Sequence, residues 1–153
     1  MLLVAVAGIG AWQTRNHPRG VLPDFALRQL GTEGVVTAKS LAGRPTMLVF
    51  WAPWCGVCKA ESSNVSWVKR LVGDRARVLS VVAAYQSIAE VERSIAAQGM
   101  DYPVLVGDDA TTARFAVEAF PTVFFLDDGG RIHSSSRGYT TTAGMLWRLF
   151  SPF

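Results

Sequence analysis

The sequence predicts an α/β domain, a central mixed β-sheet flanked by helices. Three observations carry this expectation. Apolar runs rich in β-formers, such as TMLVFWA at 46–52, alternate with stretches of helical periodicity, the pattern of strands covered by helices. Near the end, FFLDDGGRIH at 124–133 sets an Asp/Gly turn between two strand-like runs, which adds antiparallel pairing to the sheet. The chain has 153 residues, half of them hydrophobic and 18% charged. That suffices for one domain with a real core and no disulfide staples, and it is not a disordered composition.

Taken in order, the first twelve residues, MLLVAVAGIGAW, are uncharged and almost wholly apolar. The run falls short of the ~20 residues that span a bilayer. It has no basic n-region, and AVA at 5–7 comes too early for a signal-peptidase site. Its hydrophobicity has no period and stops at a Pro/Gly-containing stretch, QTRNHPRG. Residues 1–20 therefore read as the clipped remnant of an N-terminal membrane anchor plus linker, and 21–153 as the folded domain; a buried element of the domain is the alternative.

DFALRQL and GVVTAKSL form a hairpin around Gly31 and Gly34. Residues 46–52 are a central buried strand, ended by Pro53. From Cys55 to about Val72, the residues Val57, Val65, Val68, Leu71 and Val72 recur at helical spacing, and Gly73 closes the helix. Residues 77–85 are a second buried strand. Ser87 caps an amphipathic helix that ends at Gly99. YPVLVG is a strand, DDATTARFAVE a short helix capped by Asp108 or Asp109, and AFPTVFFLD and RIHSSSRGY are strands. A helix from about Thr141 to Phe150 closes the chain.

The net charge of +3 is diffuse, with no Lys/Arg run. That argues against nucleic-acid binding.

The chemistry concentrates in WAPWCGVCK at 51–59, which holds the only cysteines, Cys55 and Cys58. Two thiols at this spacing, where a strand passes into a helix, fit a reversible disulfide. The first lies at the helix N-terminus, whose free N–H groups and dipole favour a thiolate. Cys55 is the expected nucleophile, open to solvent and with a lowered pKa, in front of a buried Cys58. Cys58, one turn later, is the resolving thiol. Zinc would need four ligands, and His17 and His133 lie far away in sequence. Two inert buried thiols fit poorly with Gly56 between them and a helix start beneath. A soft copper(I) site on the same pair stays open.

FWAPWCGVCK followed by Pro121 in AFPTVFFLD, 63 residues after Cys58, resembles the thioredoxin fold over residues 21–153. The resemblance implies that the Phe120–Pro121 bond is cis and that Pro121 lies opposite the dithiol, with a backbone edge to which a substrate strand can pair. Thioredoxin's buried aspartate, six residues before the first cysteine, is Val49 here. Two β–α units between Cys58 and Pro121, the N-terminal hairpin and the anchor resemble the TlpA/ResA/DsbE group of bacterial envelope thiol–disulfide oxidoreductases. That group carries a glutamate three residues after the second cysteine, matched by Glu61. A partly buried Glu61 would have a raised pKa and could take the proton of Cys58; a solvated acid at a helix start is the alternative. The chain departs from the group in Ser62–Ser63, where a hydrophobe and proline are usual, and in the bulky Phe120. WCGVC with a late Phe-Pro most resembles the suppressor-of-copper-sensitivity D proteins.

Trp51 is expected in the core, Trp54 and Phe120 on an apolar substrate-contact surface, and Lys59 in solvent or weakly assisting the thiolate. No histidine stands between the cysteines, which argues for a reductant or mid-range exchanger. The thioredoxin proline is missing as well, so the most reducing potential is not expected. The resemblance thus implies a monomeric periplasmic protein-disulfide reductase, tethered to the inner membrane by its N-terminal segment. It would act on disulfide-bearing envelope proteins, be recharged by a membrane dithiol donor of the DsbD type, and use no cofactor or metal. The rival is a copper(I) carrier on Cys55 and Cys58. Against it, Met1, Met47, Met100 and Met145 are all distant from the pair in sequence.

Overall fold

The computed structural model describes residues 2–151. The elements run α1 (Leu2–Gln13), β1 (Ala26–Arg28), β2 (Val35–Thr37), β3 (Thr46–Trp51), α2 (Gly56–Val72), β4 (Arg77–Val82), α3 (Ile88–Gln98), β5 (Val104–Val106), α4 (Asp109–Arg114), β6 (Thr122–Leu126), β7 (Ile132–Arg137) and α5 (Thr142–Phe150). β1 and β2 form the expected antiparallel hairpin. The other five strands form one mixed sheet in the order β5-β4-β3-β6-β7. β3, β4 and β5 run parallel, while β6 is antiparallel to both β3 and β7. This is a thioredoxin-like fold, with β4–α3 and β5–α4 as the two units between Cys58 and Pro121.

Strand alternation splits the core between the two sheet faces. On one, Leu48 and Phe50 of β3 pack with Leu79, Leu105, Phe115 and Phe124. On the other, Met47 and Val49 meet Val65 and Val68 of α2 and Met145 and Leu149 of α5. A third cluster at the C-terminal end of β3 joins Trp51 and both cysteines to Val82, Val91 and Val104. All six residues of β3 are buried, which explains why its sequence is continuously apolar rather than alternating.

Several local expectations change. Residues 38–41 turn into a 3-10 helix instead of extending β2, because Thr37 and Ser40 form a reciprocal capping box. β4 stops at Val82, two residues before Ala84 at φ 51°, a left-handed conformation that breaks a strand. Val57 and Leu71 face solvent, leaving Val65, Val68 and Val72 as the inner stripe of α2.

The segment read as a linker is packed. Gly20 exchanges two backbone hydrogen bonds of 2.8 Å with Ile132. His17 is buried, pairs through Nδ1 with Ser135 Oγ at 2.9 Å, and lies on the Phe124 ring. The end assigned to the linker is thus pinned to β7. α1 lies beside β7 with Val6, Ile9 and Trp12 exposed. Among the described residues no helix is long and apolar enough to cross a membrane.

Candidate active site

β3 delivers the chain to the dithiol. After Trp51 the backbone turns through Pro53, the Cys55 N–H donates to Ala52 O at 3.1 Å, and Cys55 becomes the N-cap of α2. The Cys58 backbone N–H donates to Cys55 Sγ at 3.1 Å. A free helix-terminal donor is therefore spent on the first sulfur, which is the arrangement that stabilises a thiolate there. The two cysteines are joined in a disulfide with their Cα atoms 5.2 Å apart.

Cys55, expected to be open to solvent, is only 5% exposed in this oxidised form, and Cys58 is 4% exposed. The first sulfur is occupied by the disulfide and lies 3.6 Å from Phe120 O. The Phe120–Pro121 peptide is cis. Trp54 stands out at 64% exposure, yet it is fixed: its Nε1–H donates to Ala84 O at 3.0 Å and its ring meets Phe120 edge-on at 5.9 Å. Trp51 is buried behind the dithiol and donates to Ser80 Oγ at 3.2 Å. Lys59 is exposed.

Glu61 is not a solvated acid. It is 1% exposed, and its Oε2 accepts the Thr140 backbone N–H at 2.6 Å. Asn64, one turn further along α2, donates to Tyr139 Oη at 2.9 Å and Thr140 O at 3.0 Å, holding that loop against the helix. The other carboxyl oxygen of Glu61 has no partner. Burial pushes its pKa from 4.5 up to about 7, against the opposing pull of the Thr140 N–H. Despite Ser62–Ser63, α2 continues as helix from Gly56 to Val72. Behind the dithiol a cavity of about 10 Å³ is lined by Cys58, Glu61, Val49, Pro121, Gln98 and Met100, among others.

The fold therefore brings Trp54, Cys55, Cys58, Phe120 and Pro121 to one end of the sheet, with Glu61 behind Cys58. Sequence reasoning missed Thr140, Gln98 and Ala84. It also set Met100 far from the cysteines; in space Met100 packs against their cluster and shares the cavity with Cys58. No sequence motif marks these residues, because each arrives from a different element. Among the described residues no group of three or more His, Cys, Asp or Glu could hold a metal ion.

A thioredoxin-like sheet with a dithiol at the N-terminus of the helix after β3 defines a thiol–disulfide exchange protein. The chain belongs to the Redoxin family, whose model matches residues 19–145. It is 26% identical to the thioredoxin-like protein YneN of Bacillus subtilis (strain 168), covering 97% of this chain and 92% of that one. It is also 26% identical to the thiol–disulfide oxidoreductase ResA of Oceanobacillus iheyensis, over 78% of this chain and 64% of that protein. The crystal structure of the exposed lipoprotein thioredoxin Etrx1 of Streptococcus pneumoniae strain TIGR4 is similar with a TM-score of 0.70 at 28% identity, covering 82% and 97% of the two chains. The protein is a thiol–disulfide oxidoreductase related to ResA, carrying the Cys55–Cys58 pair.

Proposed function

We propose that the protein reduces disulfides of particular envelope proteins in the bacterial periplasm, held at the inner membrane by its N-terminal segment. The observation that carries this reading is the asymmetric dithiol: a helix-terminal N–H on Cys55 Sγ, and a buried carboxyl behind Cys58. In the reduced protein the Cys55 thiolate attacks a substrate disulfide. One substrate sulfur bonds to Cys55 and the other leaves as a thiolate, taking a proton from solvent. Glu61 then accepts the Cys58 proton, and the Cys58 thiolate attacks Cys55 Sγ. The second substrate sulfur leaves. Two electrons have passed to the substrate, and the protein is a disulfide with Glu61 protonated. A membrane dithiol donor of the DsbD type resets it.

Trp54 and Phe120 form the apolar contact for the substrate, beside a backbone edge at Pro121. The absence of a histidine at Gly56–Val57 supports the reducing direction, since nothing between the cysteines favours the thiolate as strongly as in an oxidant. The test is capture. A Cys58→Ala variant expressed in the cell envelope holds its substrate on Cys55, and mass spectrometry of the adducts identifies envelope proteins with exchangeable disulfides. Adducts confined to cytoplasmic proteins would contradict the assignment.

Met100 favours a second reading. It packs against the cluster that holds both cysteines and lines the cavity with Cys58, so a thioether is at hand for copper(I) carried on the reduced pair. Stoichiometric copper(I) binding that survives a competing chelator, without turnover of disulfides, would select it.

A further inference from the structure

The cavity behind Cys58 has a polar contributor from the opposite side, Gln98 at the end of α3. Its amide is oriented by a hydrogen bond from Nε2 to Ser94 Oγ at 2.8 Å. That leaves Gln98 Oε1 buried with no partner, as is Glu61 Oε1. Among the described residues only one further buried side-chain nitrogen or oxygen, His133 Nδ1, lacks a partner. The two residues that carry these oxygens line one space of about 10 Å³, roughly the room one water needs. An amide oxygen only accepts hydrogen bonds, and a carboxylate likewise only accepts. A water there would donate to both oxygens; without one, the two acceptors are compatible only when the carboxyl carries a proton.

We propose that Gln98 is a positioning residue for Glu61: its Oε1 accepts the acid proton of Glu61 directly across the cavity. This rests on the reading of Glu61 as proton acceptor for Cys58 and extends it. The β4–α3 unit would then supply the group that holds the proton after resolution. In the oxidised protein Glu61 is left protonated by the chemistry itself, and the neutral acid is the form Gln98 can bind. The other groups facing Glu61 are Cys58 on its own helix, the Thr140 N–H before α5, and Tyr102 after α3. Asp101 is turned outward to Arg70, 3.2 Å away.

The experiment follows the Glu61 side-chain carboxyl by carbon NMR through a pH titration of the intact oxidised protein, assigned by its loss in Glu61→Gln. Gln98→Met keeps the length of the side chain but removes the acceptor, and the Glu61 midpoint falls. Gln98→Glu sets a second carboxyl on the cavity. The two then titrate together, the later step a pH unit or more above wild type. In reduced Gln98→Met, resolution of a mixed disulfide shifts its pH profile in the same direction as the midpoint. A residue with a packing role alone would lower the melting temperature and leave midpoint and profile in place. An unmoved midpoint in both variants, or a rise in Gln98→Met, would overturn the proposal. Failure of the underlying reading looks different: Glu61→Gln would then resolve mixed disulfides at the wild-type rate, whatever the titrations show.

Discussion

Glu61 is the residue where burial, charge and chemistry meet. A carboxyl at 1% exposure with one hydrogen bond is costly to ionise, and its pKa rises to about 7. The sign of the linked stability follows. The folded state holds the proton more tightly than the unfolded chain, so this contribution is fully present below about pH 4.5 and is lost as pH rises through about 7. Moving an acid from 4.5 to about 7 converts to about 3 kcal/mol. Oxidised wild type should therefore lose about that much stability relative to Glu61→Gln across that window, read as the pH dependence of the difference in denaturant midpoints; a constant difference would count against the burial argument. In kinetics, Glu61→Gln keeps the first attack by Cys55 and slows resolution about a hundredfold. Rapid-quench trapping of the mixed disulfide measures both steps. The cysteine pair was legible from its own spacing, and the places of Pro121 and Glu61 beside it from the family resemblance. Thr140, Gln98 and Met100 were not, because their proximity to Cys58 arises from packing between elements distant in sequence.

At the scale of elements, most of the fold was legible, since every strand of the main sheet and every helix from α2 to α5 announces itself by periodicity and caps. Ser87, Asp108 and Thr141 each accept a backbone N–H at the start of their helices. The failures were local or non-local in identifiable ways. The left-handed Ala84 has no signature, because alanine is not a residue that favours positive φ. The polar stretch before Gly20 looked like a free linker, since nothing in it predicts that His17 lies on Phe124. Burial, with Arg137 nearby, holds the His17 pKa below the ordinary 6.5. Its contribution is present above that value and is lost as pH falls through the depressed folded pKa. The protection factors of the amides at 14–20, with the intrinsic pH dependence of exchange divided out, should fall as the solution is acidified below pH 6.5, while those of β3 hold; protection factors at 14–20 without that step would show that His17 does not pin the arm.

The whole molecule is a two-faced core with a chemical end. Phe124 is fully buried and in ring contact with Phe50, Phe115 and His17. Phe124→Ala should destabilise the domain by about 3–5 kcal/mol through lost burial and the cavity left behind. Trp147, 75% exposed on α5, is the contrast: Trp147→Ala should stay within about 0.5 kcal/mol. Comparable losses at both positions in urea melts would mean that the outer face of α5 is covered.

The fold sets a helix-terminal N–H on one of its two sulfurs, so the two thiols should react unequally. The measurement that tests it most directly is alkylation of the reduced protein over a pH series, with the labelled cysteine identified by mass spectrometry. Cys55 should be labelled first, with a midpoint below the ~8.5 of an ordinary thiol, and Cys58 should react slowly throughout. Equal labelling, or labelling of Cys58 first, would contradict it.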